Sequence, residues 1–117
     1  MATNKTAEPL VFTNAETGET VIVEFNRSVI LRMERDGYSG DAIPEKAKNA
    51  PMSTISTLFW YGMLMHQPDT TMEEGINFFF DNVGTDENIM DRLTSLFTKP
   101  YEDMLSAQRK NSRWTVK

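Results

Sequence analysis

The chain has no cysteine and only one histidine among its 117 residues. The first absence excludes disulfide bonds, thiol nucleophiles and thiolate metal sites, and it argues against a small secreted scaffold. The second leaves His66 as the only imidazole for a catalytic dyad or triad. The sequence therefore favours a function other than catalysis, and we expect no enzyme activity and no cofactor.

A signal peptide, a membrane span and a surplus of positive charge are also missing from the sequence. Residues 1–8 contain no apolar core of a signal peptide, and the longest apolar run is far too short to cross a membrane. The net charge is −5, whereas binding to phosphates needs a surplus of Lys and Arg on at least one face. These features predict a cytoplasmic protein without a nucleic-acid or membrane partner.

The first half of the chain predicts a hairpin and one helix. Two β-prone segments, Leu10–Thr13 and Thr20–Phe25, flank a turn in which Gly18 can supply a positive φ. Asn26 is a good N-cap for the helix that follows. Residues 38–50 have the composition of a loop.

The second half predicts further helices with clear start and stop signals. Pro51 can open a helix that runs to about His66, and Thr71 and Glu74 have the spacing of a capping box. Another helix follows, and we expect Pro100 to break or kink it, because proline removes a backbone donor and clashes with the preceding turn.

Together these elements predict a single α+β, mainly α domain. We expect a short hairpin over residues 9–25 and four to five helices over residues 26–110. A flexible N-terminus, residues 1–8, precedes this domain, and a C-terminal tail, residues 111–117, follows it. The composition of 39% hydrophobic and 25% charged residues is that of a folded domain.

The run Leu58–Met65 contains eight consecutive residues without a charge. A helix of this composition is apolar on every side, and so it must be covered on every side. Two interpretations remain open: the helix lies centrally among the others, or one face binds a partner. Eight methionines favour the second slightly, because their side chains let a surface repack around varied partners. The candidate partner-binding residues are Trp60, Met63, Leu64 and Phe78.

Phe78 is a candidate because it falls outside the apolar stripe of its own helix. Helical spacing predicts that this helix buries one stripe against the core. The members of the predicted stripe are Met72, Ile76, Phe79, Phe80 and Val83.

The remaining polar residues have ordinary explanations. His66 lies at the end of the apolar helix, where we expect it to cap or pack. The carboxylates lack the ligand spacing of a calcium loop, so no metal site is predicted. Near the C-terminus, four basic residues surround Trp114, and this segment is either a solvated tail or an RNA contact.

The order of these elements resembles the tail assembly chaperones of long-tailed bacteriophages, particularly small ones from phages of Gram-positive hosts. The resemblance covers residues 9–116 and is one of spacing and residue type, without a catalytic signature. The segments that carry it after the hairpin are Phe25–Val29, Ser56–Gly62, His66–Pro68, Thr70–Glu74, Leu93–Phe97 and Lys110–Trp114.

The resemblance implies a non-enzymatic role in the cytoplasm of the infected host, with the protein absent from the mature virion. Such chaperones coat the long helical tape-measure protein and keep it soluble until the tail tube polymerises around it. The resemblance also implies self-association, a longer frameshifted form of the chain, and contact with the tail tube protein. It transfers no binding motif onto particular residues of this chain.

Two alternative functions stay open at the level of sequence. A structural head–tail connector or tail-completion protein would be found in purified virions. A small helical regulator or nucleic-acid-binding domain would need a basic recognition helix, and only the helix from Arg27 to Arg35 comes near that.

Overall fold

The computed structural model describes residues 8–84 and 86–105, which form one domain with a hairpin followed by five helices. This confirms the predicted α+β, mainly α class. The expected N-terminal segment up to residue 7 and the C-terminal tail lie outside the described residues. The strands are β1, Leu10–Thr13, and β2, Thr20–Val23; the helices are α1, Arg27–Arg35, α2, Ala42–Asn49, α3, Pro51–Met63, α4, Met72–Phe78, and α5, Glu87–Leu105.

The hairpin forms as predicted. β1 pairs with β2 in antiparallel register, with Leu10 opposite Val23 and Thr13 opposite Thr20. The turn between them uses Gly18 at a φ of 77°, a conformation that favours glycine. Leu10 and Val23 are buried, so one face of the hairpin packs on the helices, which a two-stranded sheet needs for stability.

α1 follows the hairpin without a long connection. Asn26 caps it as predicted, because its side-chain oxygen accepts a hydrogen bond of 2.9 Å from the backbone N–H of Val29. Val29, Ile30 and Met33 form the buried side of α1. The helix therefore presents one apolar side to the core and its charged side chains to solvent.

The prediction of a loop over residues 38–50 is wrong, because α2 occupies Ala42–Asn49. Pro44 lies in the first turn of α2, where its missing N–H is not needed for a helical hydrogen bond. α2 contains no buried residue, and so it has no fully buried apolar stripe of the kind that makes a helix easy to predict.

α3 is the central helix of the core. Pro51 begins it as predicted, and it ends at Met63, three residues before the predicted end at His66. Its first half buries hydroxyl side chains, one of which, Ser56, donates to the carbonyl of Met52 at 2.8 Å. Its second half buries every side chain from Leu58 to Met63.

α4 begins with the predicted capping box. The Thr71 hydroxyl accepts from the N–H of Glu74 at 3.1 Å, and the Glu74 carboxylate accepts from the N–H of Thr71 at 3.0 Å. The helix then widens into a π-helical turn, Phe79–Val83, and Gly84 follows at a φ of 64°. Gly84 thus ends the element.

α5 runs without interruption from Glu87 through Pro100 to Leu105, so of the two predicted effects of Pro100 the break is wrong, and the kink stays a prediction. Leu93 and Leu96 are buried on the core side of α5, and Phe97 packs edge-on against Phe25 at 5.7 Å. Packing on both sides of Pro100 therefore holds one helix together despite the lost hydrogen bond. Within the described residues, no helix combines the length and apolarity that crossing a bilayer requires.

Gln67 closes the outer edge of β2. Its side-chain amide accepts from the N–H of Ile22 at 2.8 Å and donates to the carbonyl of Ile22 at 2.9 Å, as a neighbouring strand would. The same Nε2 also donates to the carbonyl of Met63 at 2.7 Å. One side chain therefore ties the hairpin to the end of α3 and satisfies an exposed strand edge.

Candidate functional site

Reactive and metal-binding clusters are the first kind of site to consider. Within the described part of the chain, no three acidic or histidine side chains lie close enough together to hold a metal ion. The His66 Nε2 lies 2.8 Å from the Glu24 Oε1, on the outside of the protein. The histidine thus pairs with a carboxylate of the hairpin, and Gln67, which the sequence did not single out, bonds to the last carbonyl of α3.

The residues predicted to bind a partner are mostly internal. Trp60, Met63 and Leu64 are only 5%, 4% and 7% exposed, and all three belong to the core. A partner cannot contact them while the core is closed. Phe78 is half-buried and packs against the same core. Of the two interpretations that the sequence leaves open for this helix, the burial of its residues supports the one in which it lies centrally among the others.

Trp60 is enclosed because each part of its indole has a neighbour within this chain. The Nε1–H donates to the carbonyl of Thr70 at 2.9 Å, and the Arg32 guanidinium lies 5.4 Å from the ring centroid. The opposite side meets α4 at Gly75, where a Cβ atom would overlap the Trp60 ring. Glycine at this position lets two helices approach closely around a large side chain.

This close approach changes which residues of α4 face the core. Gly75, Phe79 and Val83 are buried, whereas Met72 and Phe80 are 44% and 47% exposed. The predicted stripe is thus correct for Phe79 and Val83 and wrong for Met72 and Phe80. The signal in the sequence that could have identified the inner side of α4 is Gly75, because a glycine inside a helix usually has a packing reason.

The exposed residues form a row that we call the α4 stripe: Met72, Ile76 and Phe80. Ile76 is half-buried, and the three positions follow each other at intervals of four residues on one side of the helix. On the adjoining side, Glu73, Asn77 and Asp81 are exposed. The arrangement is an apolar ridge with acidic and polar side chains beside it.

The π-helical turn lies at the end of the α4 stripe. A wide turn of this kind is rare and occurs frequently at functional sites. Here it places Phe79 in the core and leaves the adjacent Phe80 outside, with their rings edge-to-face at 5.2 Å. The Asn82 side chain donates to the carbonyl of Phe78 at 3.1 Å, which satisfies an acceptor at the widened turn.

On the other side of α4, a cleft separates the π-helical turn from the tip of the hairpin. Its volume is about 270 Å³. The Phe12 ring contacts both Phe78 and Phe59 edge-on, at 5.9 and 5.7 Å. We call this the hairpin cleft, and its lining residues are Phe12, Thr13, Asn14, Glu19, Val21, Phe78 and Asn82.

A partly buried polar contact joins α3 to the end of α1. The Tyr61 hydroxyl donates to the Asp36 Oδ2 at 2.7 Å. Burial, and then the hydrogen bond to this carboxylate, raises the pKa of Tyr61 well above its ordinary value. Tyr61 therefore stays protonated and joins α3 to the end of α1, which makes it a structural group.

Negative charge predominates strongly among the described residues. Residues 8–84 and 86–105 carry all seventeen acidic side chains and seven of the twelve basic ones, a formal charge of −10. Such a surface attracts cationic partners and repels phosphate.

Comparison with known proteins gives one result. Neither the curated proteins nor the solved structures gave a match to this chain. One protein family matches it over residues 1–117, which is its full given length. The chain therefore belongs to the family described as Domain of unknown function (DUF5055).

Proposed function

We propose that this protein is a non-enzymatic phage tail assembly chaperone that binds the helical tape-measure protein and keeps it soluble during tail morphogenesis. The observation that supports this most is the α4 stripe, an apolar ridge exposed on an otherwise acidic body. A ridge of residues at intervals of four is a surface onto which another helix can pack its own apolar side.

The dimensions of the α4 stripe suit a helical client. From Met72 to Phe80 the ridge spans about 12 Å, since each residue adds about 1.5 Å along a helix. That distance covers two turns of a partner helix. Met72 and Phe80 belong to the residue types enriched in the buried centre of interfaces, and a methionine adapts to clients of differing shape.

The acidic residues beside the ridge support the same function. Glu73 and Asp81 lie on the exposed side of the element and would select clients with basic residues next to an apolar face. The net charge of the body also opposes aggregation of a chaperone that exposes apolar side chains. In this proposal the protein acts in the cytoplasm of the infected host and is absent from the mature virion.

Further partners belong to the same proposal. These are the tail tube protein, a longer frameshifted form of the chain, and a second copy of the chain. No cofactor takes part, because solubilising a client by apolar contact needs no reaction chemistry.

The test is co-expression with the tape-measure protein of the same phage, followed by a pull-down from the soluble fraction. We expect the client to be soluble and to co-purify. Phe80→Asp should reduce the recovered client about tenfold or more, the effect of losing one central apolar anchor.

The matched control is Val11→Asp, which places the same charge on another exposed apolar residue, on the hairpin. It should leave recovery of the client unchanged, with both variants confirmed as folded by circular dichroism. Trp60→Asp is not a suitable variant, because it would disrupt the core. If the client stays insoluble and unbound with the unaltered chain, the proposal fails, and mass spectrometry of purified virions should test a structural role.

A further inference from the structure

The hairpin cleft lies on the opposite side of α4 from the α4 stripe and has a different chemistry. Its volume of about 270 Å³ is below the range of sites that enclose a whole cofactor or drug-sized ligand. It is suited to one large side chain. Phe12 and Phe78 meet edge-to-face in its lining and offer ring faces and edges to a further aromatic group.

The polar residues of the cleft favour a guest that donates hydrogen bonds. The Asn14 Oδ1 already accepts from the N–H groups of Glu16 and Thr17, and Asn82 already donates to a carbonyl of its own helix. Glu19 is the one charged residue of the lining, and among the described residues its carboxylate accepts a long hydrogen bond of 3.5 Å from the Thr17 hydroxyl. A cation or an indole N–H complements this carboxylate.

The same chain contains a segment of this chemistry. Residues 106–117 include four basic side chains, no acidic one, and Trp114. The described residues carry a formal charge of −10, so the segment and the body have opposite charge. An aromatic residue between basic residues matches an aromatic cleft with an acidic rim.

The length of α5 indicates whether residues 106–117 would reach the cleft from the same chain or from a second copy. Asn82 lines the cleft and lies five positions before the first residue of α5. Tyr101 lies near the last residue of α5, and its ring packs against Gly40, which follows α1 in the chain. α5 has 19 residues and is therefore about 28 Å long, so its last residue lies far from the end of the helix that Asn82 precedes. To return, the nine residues 106–114 would need almost full extension, which spans about 30 Å.

We propose that the hairpin cleft binds the basic C-terminal segment of a second copy of this chain, with Trp114 inserted between Phe12, Phe78 and the Glu19 carboxylate. A second copy has no length restriction on its approach. The chain therefore self-associates through a cleft on one copy and a C-terminal segment on the other. This contact rests on the proposed function in one respect, the second copy named there as a partner. Its test is separate from that of the client, because neither the client nor the α4 stripe takes part in the contact.

The test uses purified full-length chain alone and measures the association constant by sedimentation velocity over a range of concentrations and salt. We expect association that weakens with added salt, because opposite charges contribute to it. Trp114→Ala and Glu19→Lys should each weaken association at least tenfold. Glu34→Lys changes the net charge equally at an exposed position on α1, outside the cleft lining, and should leave association unchanged.

A mixture of the two weakened variants gives the sharper result. The Trp114→Ala chain has an intact cleft and the Glu19→Lys chain has an intact C-terminal segment. The mixture should associate more tightly than either variant alone. Circular dichroism of each variant establishes that it is folded.

Several outcomes would overturn the proposal. A chain that stays monomeric at every concentration has no such contact between copies. Equal weakening by Glu34→Lys and Glu19→Lys would assign the effect to overall charge. Unchanged association of Trp114→Ala, or no recovery in the mixture, would exclude the cleft and segment as partners.

Discussion

The two aromatic-rich stretches of this chain are used in opposite ways. α3 and its C-cap residue carry Leu58–Leu64, and every residue of that run is buried. The segment from α4 through the π-helical turn carries Phe78, Phe79 and Phe80, of which one is half-buried, one fully buried and one 47% exposed. Local composition is therefore a poor guide to which aromatic residues form a surface.

The difference arises from where each element lies among its neighbours. α3 is covered by the hairpin on one side and by α4 on another, and a glycine marks each contact. Gly62 lies against Val23 of the hairpin, and Gly75 of α4 lies against Trp60. α4 has neighbours on its inner side and at the cleft, so its outer side stays exposed.

The largest effect on the free energy of unfolding is expected when one phenylalanine from each stretch is replaced and the two losses are compared. Phe59→Ala should lower the free energy of unfolding by about 3–5 kcal/mol, because the fully buried ring leaves a cavity. Phe80→Ala should lower it by less than about 1 kcal/mol, because the ring is half in solvent. Urea denaturation followed by circular dichroism measures both. Equal losses would contradict the assignment of inner and outer sides.

A smaller effect tests the glycine contact between the two elements. Gly75→Ala should destabilise the protein by up to about 2 kcal/mol, since a Cβ overlaps the Trp60 ring and such overpacking costs about 1–3 kcal/mol. The gain of about 1 kcal/mol in helix propensity offsets only part of that cost. Asn77→Ala, at an exposed position of the same helix, is the matched control and should change stability by less than about 0.5 kcal/mol. Stabilisation by Gly75→Ala would show that the helices can separate easily.

The smallest effect at neutral pH concerns Tyr61. Tyr61→Phe removes one hydrogen bond to Asp36 and should cost about 1 kcal/mol. Above the ordinary tyrosine pKa of 10.0 the difference changes with pH. The folded state raises the pKa of Tyr61, so it retains a proton there that the unfolded chain releases, and its stability falls as the pH rises.

The measurement is the free energy of unfolding at pH values from neutral to above 10, for the unaltered chain and for Tyr61→Phe. We expect a steeper alkaline decline in the unaltered chain, because the variant lacks the group that ionises on unfolding. Parallel curves would show that the burial of Tyr61 does not affect its ionisation.

The features that the sequence predicts correctly depend on neighbours in the chain. The Asn26 cap, the capping box of Thr71 and Glu74, and the turn at Gly18 each involve contacts within a few residues. Two of the errors concern prolines: Pro44 lies in the first turn of a helix without buried residues, and Pro100 lies within a helix that continues through it.

The candidate site was predicted only in part. Phe59, Trp60 and Leu64 are all buried, so neighbouring elements cover this helix on more than one side. Phe78 is the one candidate that also lines a cleft. The pairing of Gln67 with Ile22 joins residues 45 positions apart, and no local pattern indicates it.

By itself, the sequence determined the class of the fold, the start of most helices, the lack of thiol chemistry and the excess of negative charge. These follow from composition and from contacts between near neighbours, which the order of residues specifies directly. Only the tertiary structure decided which apolar side chains are covered, because burial depends on elements that are distant in the chain. Tertiary packing buries Trp60, leaves Met72 and Phe80 exposed to solvent, and forms a cleft beside Phe78.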